Sequence, residues 1–258
     1  MKITKIEKKK QHYLLEIDGK DQLYITQDTI VRFLLSKGMQ LNQQLLTEIK
    51  EFAQFSFGKN SALHYLSFKQ RSETEVNNYL KKHDFQDQII GRIIADLKDN
   101  RWIDDQKYAE TLIQQNLTAG DKGPYLLKQK LRQKGVAEAV ADQELAKTDF
   151  SPVADRVSQK LFKKYQNKLP ETGLRNKIIQ SLTVKGFSYE EAKKTFAALS
   201  IETSDEIQEQ LLDKELEKAY RRYSKKYEGY ALKQRLIQYL ARKGFSFDAI
   251  DRALRNYQ

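Results

Sequence analysis

The sequence predicts a mainly α protein: tandem three-helix repeats stacked into an elongated curved array, with a small β-rich segment at the N-terminus. Three observations carry that expectation. Leu232, Leu236 and Leu240 recur at the four-residue spacing of one helix face, and Lys243-Gly244-Phe245 then breaks the helix before Ser246 can cap the next. The same arrangement recurs upstream around Phe85, Val136 and Phe187. The positions five and nine residues before and after each of these pivots are apolar in all four copies. The pivots lie 51, 51 and 58 residues apart, which leaves room for three helices per unit and is the signature of stacked helical repeats.

The break has a physical reading. Gly244, Gly186 and Gly135 suit the left-handed residue that ends a helix, and Asp84 in the first copy tolerates that conformation better than most side chains do. Arg242 and Lys243 sit at the negative end of the helix dipole, and Phe245 is expected to fold back onto Leu240.

On this pattern the chain divides into an N-terminal segment, 1–58, and repeats at 59–100, 101–149, 150–200 and 201–258. In the first segment, short apolar runs (Tyr13-Leu14-Leu15, Ile17 and Leu23-Tyr24-Ile25) flank Asp18-Gly19, the pattern of a hairpin or three-strand meander. So small a sheet is marginal alone and must pack on the helices that follow. Ile30, Phe33, Leu34 and Leu35 predict a short helix ended by Gly38, and Leu45, Leu46, Ile49, Phe52 and Phe55 a second.

Repeat one begins near Ser61 with Leu63, Tyr65 and Leu66. Its second helix opens on a capping box, Ser72 with Glu75, and its third carries Ile89, Ile90, Ile93, Ile94 and Leu97. Repeat two starts at Trp102-Ile103-Asp104-Asp105, and its second helix starts at Gly123-Pro124, with proline in the first turn. Repeat three starts at Ser151-Pro152 and is spelled more loosely. Repeat four has the longest first helix. Its expected buried stripe is Leu212, Leu216, Ala219, Tyr220, Tyr223 and Tyr227, with Lys218, Arg221, Arg222, Lys225 and Lys226 on the other side.

Several function classes are excluded by what the residues do not spell. There is no cysteine, so no disulfide and no thiolate metal site; no apolar run approaches the ~20 residues of a membrane span, and the basic N-terminus lacks a signal-peptide core. A cytoplasmic protein is expected. His12, His64 and His83 have no ligand spacing, and no phosphate-binding glycine loop, dinucleotide fingerprint or nucleophile elbow is present. Asp104 and Asp105 could be imagined as an acid/base pair, but adjacent helical residues face different directions; an N-cap plus one solvated carboxylate fits better. Trp102 is expected as a core anchor rather than a base-stacking platform. No catalytic, cofactor-binding or metal-binding residue is expected, and the protein is read as a monomer and not an enzyme.

The net charge of +11 is uneven. Residues 216–258 alone hold +7, while no other segment exceeds +2. Such a patch attracts polyanions by counterion release, or an acidic protein groove by complementarity, and its sign does not choose between them. The candidate contact residues are exposed cations: Lys128 and Arg132 in repeat two, Arg221, Arg222, Lys225 and Lys226 on the long helix of repeat four, and Arg242 and Lys243 at the next helix end.

Read together, these segments carry a resemblance. Arg71-Ser72 with Glu75-Val76, Tyr79-Leu80 and Phe85 resembles the opening of the RecX family of recombinase modulators. Trp102 to Ala109 is similar to that family's aromatic-Leu-Asp-Asp segment, with Ile103 in place of leucine. Gly123-Pro124, Leu127, Leu131 and Lys134-Gly135-Val136 is similar to its Lys-Gly segment. Asp84 departs from the family pattern. The strand-like start and the fourth repeat look like the longer family members of low-GC Gram-positive bacteria. The resemblance implies stacked three-helix repeats without catalytic activity, which bind the RecA–DNA filament in its groove and restrain ATP hydrolysis, strand exchange and coprotease activity in recombination, DNA repair and the SOS response. Two other readings stay open: a protein that binds DNA or RNA alone, and a scaffold for an unrelated acidic partner.

Overall fold

The computed structural model describes residues 1–10, 12–199 and 205–256, so the expected start of repeat four at 201 and its end at 258 lie outside the described residues. The chain forms two compact units: Met1–Leu112 with Lys130–Glu144, and Ile113–Gln129 with Leu145–Gln258.

The first unit opens with an antiparallel meander of β1 (Ile3–Lys8), β2 (Tyr13–Ile17) and β3 (Asp21–Ile25), in the order β1-β2-β3. Ile17 pairs with Asp21 across a turn in which Asp18 and Gly19 both have positive φ, as their sequence predicts. The sheet does not stand alone. Ile3, Leu15, Ile17 and Ile25 pack with Leu46, Ile49 and Ala53 of α2 (Gln43–Ser67). Between them, α1 (Gln27–Phe33) is capped by Thr26, whose buried hydroxyl also meets Ser56 at 2.7 Å.

Two boundaries differ from expectation. Leu34, at φ +48°, ends α1, four residues before Gly38. The two helices expected on either side of residue 58 are one helix, α2, of 25 residues. Gly58 lies within it because α4 (Asp87–Asp99) passes too close for a side chain: a Cβ there would stand 3.2 Å from the Phe85 ring and clash with Ile93. The second half of α2 is thus the first helix of repeat one. It packs on α3 (Glu73–Lys82) and α4 around Ala62, Val76, Leu80, Ile90, Ile93 and Leu97.

Repeat two consists of α5 (Asp105–Ala119), α6 (Pro124–Gln133) and α7 (Glu138–Ala146). Asp104 caps α5, accepting from the Lys107 amide at 2.9 Å. Asp105 is not the solvated carboxylate expected. It is half-buried and accepts from the Glu73 amide at 2.8 Å, so it satisfies the first turn of α3. Burial, with the Glu73 charge, raises its pKa against that hydrogen bond. Trp102 is 58% exposed and is not a core anchor. Arg101 is left-handed at φ +59° and turns the chain so that Ile103, 3% exposed, enters the core instead.

In the second unit, repeat three is α8 (Ser151–Tyr165), α9 (Glu171–Val184) and α10 (Tyr189–Ala197), and repeat four is α11 (Asp205–Tyr223), α12 (Gly229–Lys243) and α13 (Phe247–Asn256). Arg156 of α8 ties off the end of α5, donating to the Leu117 carbonyl at 3.0 Å and the Gly120 carbonyl at 2.6 Å. Leu212, Leu216, Ala219, Leu236, Leu240, Phe245, Ile250 and Leu254 form the core of repeat four, which contains both Phe245 and Leu240 as expected. The stripe on α11 is shorter than predicted: Tyr220 is 39% exposed and Tyr223 half-buried. The helix also ends at Tyr223, so Lys225 and Lys226 lie in the turn after it.

The helix-ending turns do more than stop helices. The Lys134-Gly135 turn lies on the start of α3, where the Ser72 hydroxyl donates to the Lys134 carbonyl and Thr74 to the Gly135 carbonyl at 3.2 Å. The Lys185-Gly186 turn lies on the start of α6 in the same way. There the Gly123 amide donates to the Lys185 carbonyl at 2.7 Å and the Tyr125 amide to the Gly186 carbonyl at 3.2 Å. The Lys243-Gly244 turn approaches the start of α9 at Thr172 and Gly173. At the Lys185-Gly186 turn, amides at a helix start meet carbonyls at a helix end, and at the Lys134-Gly135 turn side-chain hydroxyls of the helix start do the same, so these turns satisfy groups that the helix end cannot satisfy itself. The first turn is different. Asp84 is left-handed at φ +61° but exposed, with no earlier repeat against which a Cβ would collide.

Candidate interaction surface

Charge at each docked turn is partly neutralised locally. Lys134 bonds Glu75 at 2.7 Å, and Lys185 pairs with Asp121. Burial pushes the Glu75 carboxyl up, but the bonds from Lys134 and the Ser72 amide, with the nearby Arg71 charge, hold it below its ordinary value. Tyr108 is pushed up to about 12 by burial and by the Glu75 carboxylate it faces.

In repeat four, Lys243 lies 3.4 Å from Glu215, which also pairs with Lys218 at 2.6 Å and accepts from the Tyr239 hydroxyl at 3.0 Å. Burial opposes ionisation of Glu215, yet these partners lower its pKa overall; the same carboxylate raises that of Lys243 against the effect of burial. Lys243 thus clamps α12 to α11, a role in the fold that its position at a helix end did not disclose.

The other candidate cations divide similarly. Arg221 bonds Glu217 at 2.5 Å, four residues earlier on α11. Arg222 stacks over the Tyr223 ring at 5.6 Å. Arg222, Lys225, Lys226 and Arg242 are exposed and form no ion pair among the described residues. They are the cations of this face most available to a partner. Arg221, Arg222, Lys225 and Lys226 follow one another around the end of α11, whereas Arg242 sits at the end of α12. On α6, Arg132 is exposed and Lys128 half-buried.

No cluster of three potential metal-ligating side chains is found among the described residues. The candidate surface presents exposed cations. Sequence reasoning passed over a separate feature: Arg175, Ile179, Val184 and Tyr189 line a pocket of about 360 Å³ on α9 and the turn into α10. The available signal was Val184, at a repeat position filled by Lys82, Gln133 and Arg242 in the other copies.

The models of the three RecX three-helix domains match residues 59–97, 104–145 and 206–254, which correspond to the first, second and fourth sets of helices. The chain is 56% identical over 257 residues to the regulatory protein RecX of Streptococcus sanguinis, with all of both chains covered. The chain belongs to the RecX family. The regulatory protein RecX of Streptococcus mutans is likewise 56% identical over full length. A crystal structure of regulatory protein RecX aligns with a TM-score of 0.64 at 31% identity, covering 76% of this chain and 98% of that one. A crystal structure of RecX from Lactobacillus salivarius gives 0.53 at 32% identity, covering 56% and 95%. RecX membership makes this chain a member of a family of regulatory proteins. The helices at 151–197, between the second and third matched domains, repeat the same glycine turn and core pattern.

Proposed function

We propose that this protein binds the RecA filament on DNA and lowers its ATP hydrolysis, strand exchange and coprotease activity, without chemistry of its own. The observation that carries the reading is the full-length identity to proteins named regulatory protein RecX. The surface agrees in kind: unpaired cations at the end of α11 suit an acidic lobe or a phosphate backbone. Such a partner would place the protein in the cytoplasm, and no helix among the described residues is long and apolar enough to cross a membrane.

The test is RecA ATP hydrolysis on single-stranded DNA, titrated with the protein. Inhibition well below one protein per RecA is expected; an unchanged rate at equimolar protein removes the reading. The +7 of residues 216–258 favours a second reading, direct binding of DNA or RNA without RecA. That reading requires affinity for bare strands that falls steeply with salt, because each neutralised phosphate releases counterions.

A further inference from the structure

We propose that the pocket on α9 and the α9–α10 turn is a docking groove for an acidic segment of the partner carrying an apolar anchor side chain. The proposal rests on the filament reading, and the segment belongs to the recombinase.

Three large apolar side chains lie exposed around one turn. Val184 is 71% exposed, Tyr189 57% and Tyr125 63%. The backbone hydrogen bond from Tyr125 to Gly186 brings the start of α6 against the turn between the other two. The fold does not require them. Three residues before the pivot, the other repeats carry Lys82, Gln133 and Arg242; two residues after it, repeats one and two carry Asp87 and Glu138, and repeat four an exposed Phe247. Repeat three therefore displays apolar surface where its siblings are mostly polar, and exposed apolar patches of this kind mark contact sites.

The groove also has a sign. Buried Ile179 and exposed Arg175, Asn176 and Gln180 are among its lining residues, and no carboxylate is. Lys193 stands over the Tyr189 ring at 5.6 Å and lies 4.0 Å from Glu190, while the next carboxylate, Glu191, accepts from the Ser188 amide at 2.7 Å. An aliphatic and aromatic lining with one guanidinium fits an apolar side chain flanked by carboxylates. A phosphate backbone would call for several lining cations.

The experiment compares filament binding by the full chain with that of Val184→Glu and Arg175→Glu, alongside melting curves and binding to bare single-stranded DNA. Both side chains are solvent-facing, so melting midpoints should match wild type. Either variant should weaken filament binding by about tenfold or more, the cost of losing an interface anchor or reversing its charge, whereas Val184→Met should bind like wild type. If wild type binds the filament and both charge variants bind equally well, the groove is not the contact and the filament reading stands. If wild type does not bind the filament, both fall. If the variants lose bare-DNA binding to the same extent, the surface reads nucleic acid and the proposal is overturned.

Discussion

Replacing Gly186 with alanine tests whether the glycine turns hold the repeats together. The backbone at Gly186 has φ +92°, and an alanine Cβ would stand 2.7 Å from the Leu126 amide nitrogen and 2.9 Å from the Leu126 Cγ. The nearest obstacle is backbone, so no rotamer change relieves it. Left-handed geometry costs a non-glycine residue about 1–2 kcal/mol. Separating the turn from α6 also loses the Gly123–Lys185 and Tyr125–Gly186 hydrogen bonds, each worth about 0.5–1.5 kcal/mol. A destabilisation of about 2–5 kcal/mol follows from these contributions. Asp84→Ala is the control, because Asp84 has the same handedness without a docking partner and already carries a Cβ there; its cost should stay below about 1 kcal/mol. Equilibrium urea unfolding measures both, and hydrogen exchange at the Gly123 and Tyr125 amides should accelerate only in Gly186→Ala. Equal costs for the two variants, with those amides still protected, would refute the idea that the turn is a stacking joint.

Two further predictions concern charge. Arg222→Glu with Lys226→Glu should weaken filament binding and leave the melting midpoint nearly unchanged, since neither residue forms an ion pair among the described residues; unaltered binding in a filament titration places the contact elsewhere. Glu75 has a folded pKa below its ordinary value, so its contribution to stability is present above the unfolded glutamate range and is lost as pH falls through the lower folded value. Denaturation midpoints measured from neutral to acidic pH should therefore fall less steeply in Glu75→Gln than in wild type, and parallel curves would show that the Lys134–Glu75 bond adds nothing.

The elements were legible in the sequence to different degrees, for identifiable reasons. Leu232, Leu236 and Leu240 must share a helix face wherever that helix packs, and the Ser72–Glu75 box closes within four residues. Trp102 and Ile103 were indistinguishable by hydrophobicity, and only the left-handed Arg101 selected the isoleucine for the core. Gly58 looked like a boundary but marks the close approach of α4 to an unbroken helix. The cations of the candidate surface were legible as a group, but their division was not. Lys243 and Arg222 carry the same charge, and one is tied to Glu215 while the other is unpaired among the described residues.

By itself, then, the sequence determined the repeat, its helices, its turns and the family, because these depend on spacing along the chain and on local backbone preference. Only the tertiary structure decided why glycine follows lysine at 135, 186 and 244 while aspartate suffices at 84. A Cβ is excluded only where another repeat's backbone or side chain fills the space, and that neighbour (Thr74, Leu126 or Gly173) is far away in the chain.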